Sequence, residues 1–61
     1  MINVGDKVET AVFVNNKRVP MSVGIVVRQS EDKSISYVDI MSLHGGAPWI
    51  KSETTCHLIK I

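Results

Sequence analysis

One stretch constrains the chain more than any other. Ser22-Val23-Gly24-Ile25-Val26-Val27-Arg28 is its only long apolar run closed on both sides by polar turn residues. Its β-branched residues suit a pleated, packed surface better than a helix. The polar segment after Arg28 reads as a hairpin tip, so the run is expected to be the middle strand of a curled antiparallel sheet. Successive side chains in a strand face opposite ways, which sets Val23, Ile25 and Val27 against Gly24 and Val26. Gly24 allows the bend or bulge that a small, tightly curled sheet needs. The side chains of this strand are expected to be committed to the core, leaving function to the loops at its ends.

Helix signals are nearly absent elsewhere, and Val, Ile and Thr dominate. Gly5-Asp6 reads as a turn into a first strand over Lys7–Val14. There Val8, Thr10, Val12 and Val14 share one face, and Lys7, Glu9, Ala11 and Phe13 share the other, wetter one. That places Phe13 as an exposed or edge aromatic. Asn tolerates positive φ, so Asn15-Asn16-Lys17-Arg18 is expected to turn the chain, and Pro20 to keep the next residues out of a central strand. Gln29–Ser34 is a polar hairpin tip. A third strand over Ile35–Met41 puts Val38 and Ile40 inward and Tyr37 and Asp39 outward, because an unpaired buried carboxylate is strongly unfavourable. Leu43-His44-Gly45-Gly46-Ala47-Pro48 reads as a Gly-Gly turn, and Trp49-Ile50-Lys51 as a short fourth strand. Ser52-Glu53-Thr54-Thr55 is expected to form one helical turn with Ser52 as its cap. His57–Ile61 closes the chain as a fifth strand.

At 61 residues this is one domain, 1–61. A chain of that size buries only roughly 60% of the surface its unfolded form exposes. An apolar fraction of 44% is high for so small a core. Part of it is expected at the surface, where it marks a partner or self-association. The single cysteine, Cys56, excludes an internal disulfide and points to a reducing, cytoplasmic setting. No segment reads as a membrane span or signal peptide. Seven basic against six acidic side chains argue against strong nucleic-acid binding, whose affinity rests on several phosphate contacts.

The order Val4-Gly5-Asp6-Lys7-Val8, Gly24-Ile25-Val26-Val27, Tyr37-Val38-Asp39-Ile40, then Trp49-Ile50 and a one-turn link, resembles an SH3-like barrel. It is similar to the stand-alone versions found in bacteria and tailed bacteriophages. The resemblance covers nearly the whole chain. It implies an all-β, five-stranded antiparallel SH3-like barrel with one short helical turn before the last strand. It also implies a small virion component or a factor docking on host machinery, acting in the host cytoplasm. Such barrels serve many functions, so the fold names no chemistry.

Catalytic constellations are sparse. Cys56 and His57 are neighbours in sequence, and in a strand neighbours face opposite ways, so they make no thiolate–imidazole pair. Cys56 is expected as a small core residue. His44, His57, Cys56 and Asp39 lack the paired spacing of metal ligands, and Gly45-Gly46 opens no phosphate-binding helix. Type II dihydrofolate reductase, an enzyme built on an SH3-like barrel of this size, lines its pore with Val-Gln-Ile-Tyr. The aligned segment here is Pro48-Trp49-Ile50-Lys51, matching at Ile50 alone. No catalytic residue, cofactor, metal or small-molecule substrate is expected.

Two binding readings remain. Barrels of the ribosomal-protein type bind RNA through basic loops and aromatics, and here Lys17, Arg18, Arg28, Lys33 and Lys51 would form a modest patch, opposed by Glu31 and Asp32. The alternative to a patch is ordinary solvated charge. The expected function is protein–protein interaction, with Trp49, Tyr37 and Phe13 as the available aromatics. Three aromatics are too few for a proline-peptide groove, and Trp49 is either an anchor or a lid on the barrel.

Overall fold

A computed structural model of the chain describes residues 1–41 and 48–61. Five strands, β1 (Lys7–Val14), β2 (Lys17–Gln29), β3 (Ile35–Ile40), β4 (Trp49–Thr54) and β5 (Ile59–Lys60), form one antiparallel sheet in the order β4-β3-β2-β1-β5. A 3-10 turn over Thr55–His57 precedes β5. The Gly45-Gly46 turn expected between β3 and β4 lies outside the described residues, as does His44. No helix among the described residues is long and apolar enough to cross a membrane.

The expected middle strand is the middle of the sheet, although it starts earlier than expected. Asn15 and Asn16 both adopt positive φ (51° and 62°), which suits a two-residue hairpin whose twist matches its strands. Lys17 and Arg18 therefore already belong to β2, opposite Val14 and Phe13. Pro20 sits within β2 instead of ending it. It pairs with Ala11 where the β1–β2 register shifts, and β3 pairs with β2 only from Gly24 onward. Among the described residues the strand has one neighbour at Pro20, so the missing N–H interrupts no ladder on the other side.

The core is Val8, Val26, Val38, Ile40 and Leu58, with Ile2 packed against it. Tyr37 and Asp39 alternate with Val38 and Ile40 as expected, each only partly buried. Two register shifts change the faces elsewhere. The shift between Thr10 and Ala11 buries Ala11, expected on the wet side, and leaves Val12 and Val14 exposed although they share parity with buried Val8 and Thr10. A second shift between Val26 and Arg28 leaves Val27 unpaired and exposed, so β2 does not commit all its side chains to the core. Buried Thr10 donates from Oγ1 to Ser22 O at 3.3 Å. Buried Ser36 meets Thr55 Oγ1 at 2.7 Å and accepts from Gln29 Nε2 at 3.2 Å.

The C-terminal quarter departs most from expectation. Ser52, Glu53 and Thr54 continue β4 opposite Tyr37, Ser36 and Ile35, because the β3–β4 ladder runs unbroken back to the first residue of β3. The helical turn comes one to three residues later, without a side-chain cap. It takes His57 out of the last strand and turns Cys56 to solvent, where a core residue was expected. Leu58 fills the core instead.

Candidate interaction surfaces

The β1–β2 hairpin folds against the 3-10 turn. Arg18 donates from Nη1 to Glu9 Oε1 at 2.8 Å, from Nη2 to Glu9 O at 3.2 Å and from Nε to His57 O at 3.3 Å. Its cross-strand neighbour Phe13 packs its ring on the His57 imidazole, with centroids 4.6 Å apart and planes at 60°. The guanidinium thus straps three backbone segments together, and its donors are largely used. Lys17 stays exposed at the hairpin end. Arg28 and Tyr37 come together as a cross-strand pair on β2 and β3, the guanidinium carbon 4.2 Å from the ring centroid. Of the residues expected to bind a partner, the structure therefore joins Phe13 with Arg18 and Tyr37 with Arg28.

The Gln29–Ser34 tip is organised by one carboxylate. Asp32 Oδ1 accepts from Ser34 N (3.0 Å), Ser34 Oγ (2.7 Å) and Ser30 Oγ (2.8 Å). The Ser34 backbone bond first, then the two serine hydroxyls, lower its carboxyl from the ordinary 3.8 to about 2. Lys33 at φ 62° completes the turn.

An open cleft of about 470 Å³ lies beside the 3-10 turn, lined by Ile2, Ser34, Thr54, Thr55, Cys56 and Leu58 among others. Sequence reading missed it, because it assembles from three separated segments and carries no motif. Cys56 borders it, and the neighbouring His57 ring packs on Phe13; both residues lie in the 3-10 turn, so strand alternation does not govern where they point. Among the described residues no three His, Cys, Asp or Glu side chains converge as metal ligands.

The third surface is the outer edge of β4. Trp49 is 46% and Ile50 55% exposed, on opposite faces of the strand. Trp49, Lys51 and Glu53 stand opposite Ile40, Val38 and Ser36 on the core-facing side, and Ile50, Ser52 and Thr54 stand opposite Asp39, Tyr37 and Ile35. The Lys51 ammonium lies 3.0 Å from Glu53 Oε2 and 3.4 Å from the Met21 sulfur, so it reaches from β4 to the bulged part of β2. Glu53 Oε2 is buried, and for all that proximity it receives no hydrogen bond of acceptable angle. Thr55 N–H donates to Ser34 O at 2.8 Å, extending the β3–β4 ladder. Backbone groups alternate in direction along an antiparallel strand. Glu53, Lys51 and Trp49 therefore turn theirs toward β3, and Ile50, Ser52 and Thr54 turn theirs to the open edge. Among the described residues no strand pairs with that edge.

No family model, no curated protein and no solved structure matches this chain.

Proposed function

We propose that the chain is a non-catalytic binding module, an SH3-like small barrel that works through protein–protein contact at the β4 edge. A meander of four strands, with the fifth returning beside the first after a 3-10 turn, supports the barrel reading. The observation that carries the functional reading is the half-exposed Trp49–Ile50 pair on a strand whose outer edge has no strand partner among the described residues. Strand addition to such an edge draws affinity from main-chain hydrogen bonds and specificity from flanking side chains. A partly exposed Trp supplies a large, rigid anchor for such a contact.

The nucleic-acid reading is weaker, since Arg18 spends its donors on Glu9 and His57 and Arg28 stacks on Tyr37. The test is a pull-down with the immobilised protein from cells that express it, followed by calorimetry on the identified partner. Trp49→Ala is expected to weaken that partner tenfold or more while leaving circular dichroism unchanged. Salt-sensitive binding of a single-stranded oligonucleotide, with no Trp49-dependent protein partner, overturns the reading.

A further inference from the structure

We propose that the β4 edge pairs with the β4 edge of a second copy of this chain, antiparallel about a two-fold axis through Ser52, giving one continuous sheet across a dimer. The inference rests on reading the β4 edge as a binding surface, and it names the occupant.

The register follows from chemistry already on the strand. Ile50, Ser52 and Thr54 offer their backbone groups outward, so pairing must match these three with the same three of the second copy. Centring on Ser52 uses all of them: Ser52 exchanges two hydrogen bonds with its counterpart, and Ile50 pairs with Thr54 on each side. Lys51 of one copy then stands directly opposite Glu53 of the other, in the closer, non-hydrogen-bonded type of pair. Shifting the register by two residues in either direction sets Lys51 against Lys51 or Glu53 against Glu53, which is repulsive. The strand is self-complementary in charge in one register only.

Two features of the single chain fit this arrangement. Glu53 Oε2 is buried against its own Lys51 at 3.0 Å, and the Lys51 of the second copy meets the part of the Glu53 side chain that stays exposed, 12% of it. In the dimer two ammonium groups and two carboxylates alternate around the axis. Trp49 and Ile50, exposed at the start of β4, come to lie beside Thr55 and Thr54 of the second copy, one on each face of the joined sheet. Lys51 and Glu53 are charges of the kind that keep an edge from pairing indiscriminately, and here they leave only the register in which each meets its opposite. A closed two-fold contact removes the edge.

The experiment is sedimentation equilibrium on the purified chain and three variants. Glu53→Lys carries Lys at 51 and 53, and Lys51→Glu carries Glu at both. Each breaks the ion pair within the chain and repels its own copy. Mixed one to one, they restore both cross-strand pairs without restoring either pair within a chain. The wild type is expected to rise to the mass of two chains with concentration. Each charge variant alone should stay at one chain, and the mixture should return to two. Ser52→Pro removes an outward N–H without breaking a β3–β4 bond. It should fold, by circular dichroism, and remain at one chain, and it carries the test if a charge variant fails to fold. A wild type that stays at one chain up to millimolar concentration, a mixture that stays at one chain, or a Ser52→Pro variant that still doubles its mass overturns the proposal. A single-chain mass with Trp49-dependent capture of a different protein overturns self-pairing and leaves the binding-module reading standing. A single-chain mass without such capture overturns both.

Discussion

Gly24 leaves no room for a side chain between β2 and the β3 main chain, and replacing it tests the packing of the sheet. A Cβ at position 24 would stand 2.4 Å from the Asp39 carbonyl oxygen and 2.7 Å from Val38 Cγ1. Ordinary contact begins near 3.4 Å, so the Asp39 main chain is 3.4 − 2.4 = 1.0 Å too near. The obstacle is backbone, held in the ladder by its neighbours Val38 and Ile40, and it cannot swing aside as a side-chain tip would. Overpacking of this kind costs about 3 kcal/mol. A single core in a chain this short supplies roughly 3–5 kcal/mol in total, so Gly24→Ala should consume most of the stability. With a urea slope of about 1 kcal/mol per molar, the midpoint falls by about 3 M, or the transition loses its folded baseline. Gly5→Ala is the internal control. Gly5 has φ 96° with nothing within 4 Å of its would-be Cβ, so the cost there is backbone strain alone, about 1 kcal/mol. Urea titration by circular dichroism compares the two. A Gly24→Ala midpoint at or above that of Gly5→Ala would refute the close-approach argument.

Three further outcomes are expected. Cys56 should react completely with an aromatic disulfide reagent under native conditions, at a rate unchanged by low urea; labelling that waits for unfolding would put the thiol back in the core. Arg18→Met should cost about 1 kcal/mol in urea titration, a modest loss because the ion pair is partly solvated, and should loosen the Phe13–His57 contact seen as a shift of the His57 ring protons. The Asp32 carboxyl is lowered to about 2, so its ionised form favours the folded tip: that contribution is complete above 3.8 and is lost as pH falls through about 2. The Ser34 amide proton should therefore titrate near pH 2 by NMR, and Asp32→Asn should abolish the transition.

Where strand alternation ran uninterrupted, the sequence was a good guide. The bounds of β1, the inward Val38 and Ile40 and the positive-φ pair Asn15-Asn16 all follow from local chemistry. Ala11, Val12 and Val27 could not be placed this way, because alternation loses its meaning beyond a register shift, and those shifts depend on which strand lies opposite. Pro20 misled for a related reason: proline forbids a central strand only where both neighbours exist. Ser52–Thr54 carry cap-forming side chains, but the β3 ladder opposite them prevails over local helix preference. Of the candidate site, the sequence left Trp49 open between an anchor and a lid, and the fold leaves it 46% exposed. Neither the open edge, the direction of Ser52's backbone groups nor the Arg18 strap was visible, since each arises from residues far apart in sequence.

The seating of β5 on the outer side of β1 makes completion of the sheet a long-range event. Val8 pairs with Lys60, Glu9 with Ile59, and Ile61 N–H reaches Lys7 O at 3.0 Å. Leu58, the last core residue, arrives just before that strand. Contacts between segments so far apart in sequence pay a large loop-closure cost before they contribute. The strands β1 to β4 can therefore pair while the core still lacks Leu58 and β1 still has a bare flank. Leu58 and β5 complete both together, so a defect at Leu58 is felt along the β1 flank as well as in the core.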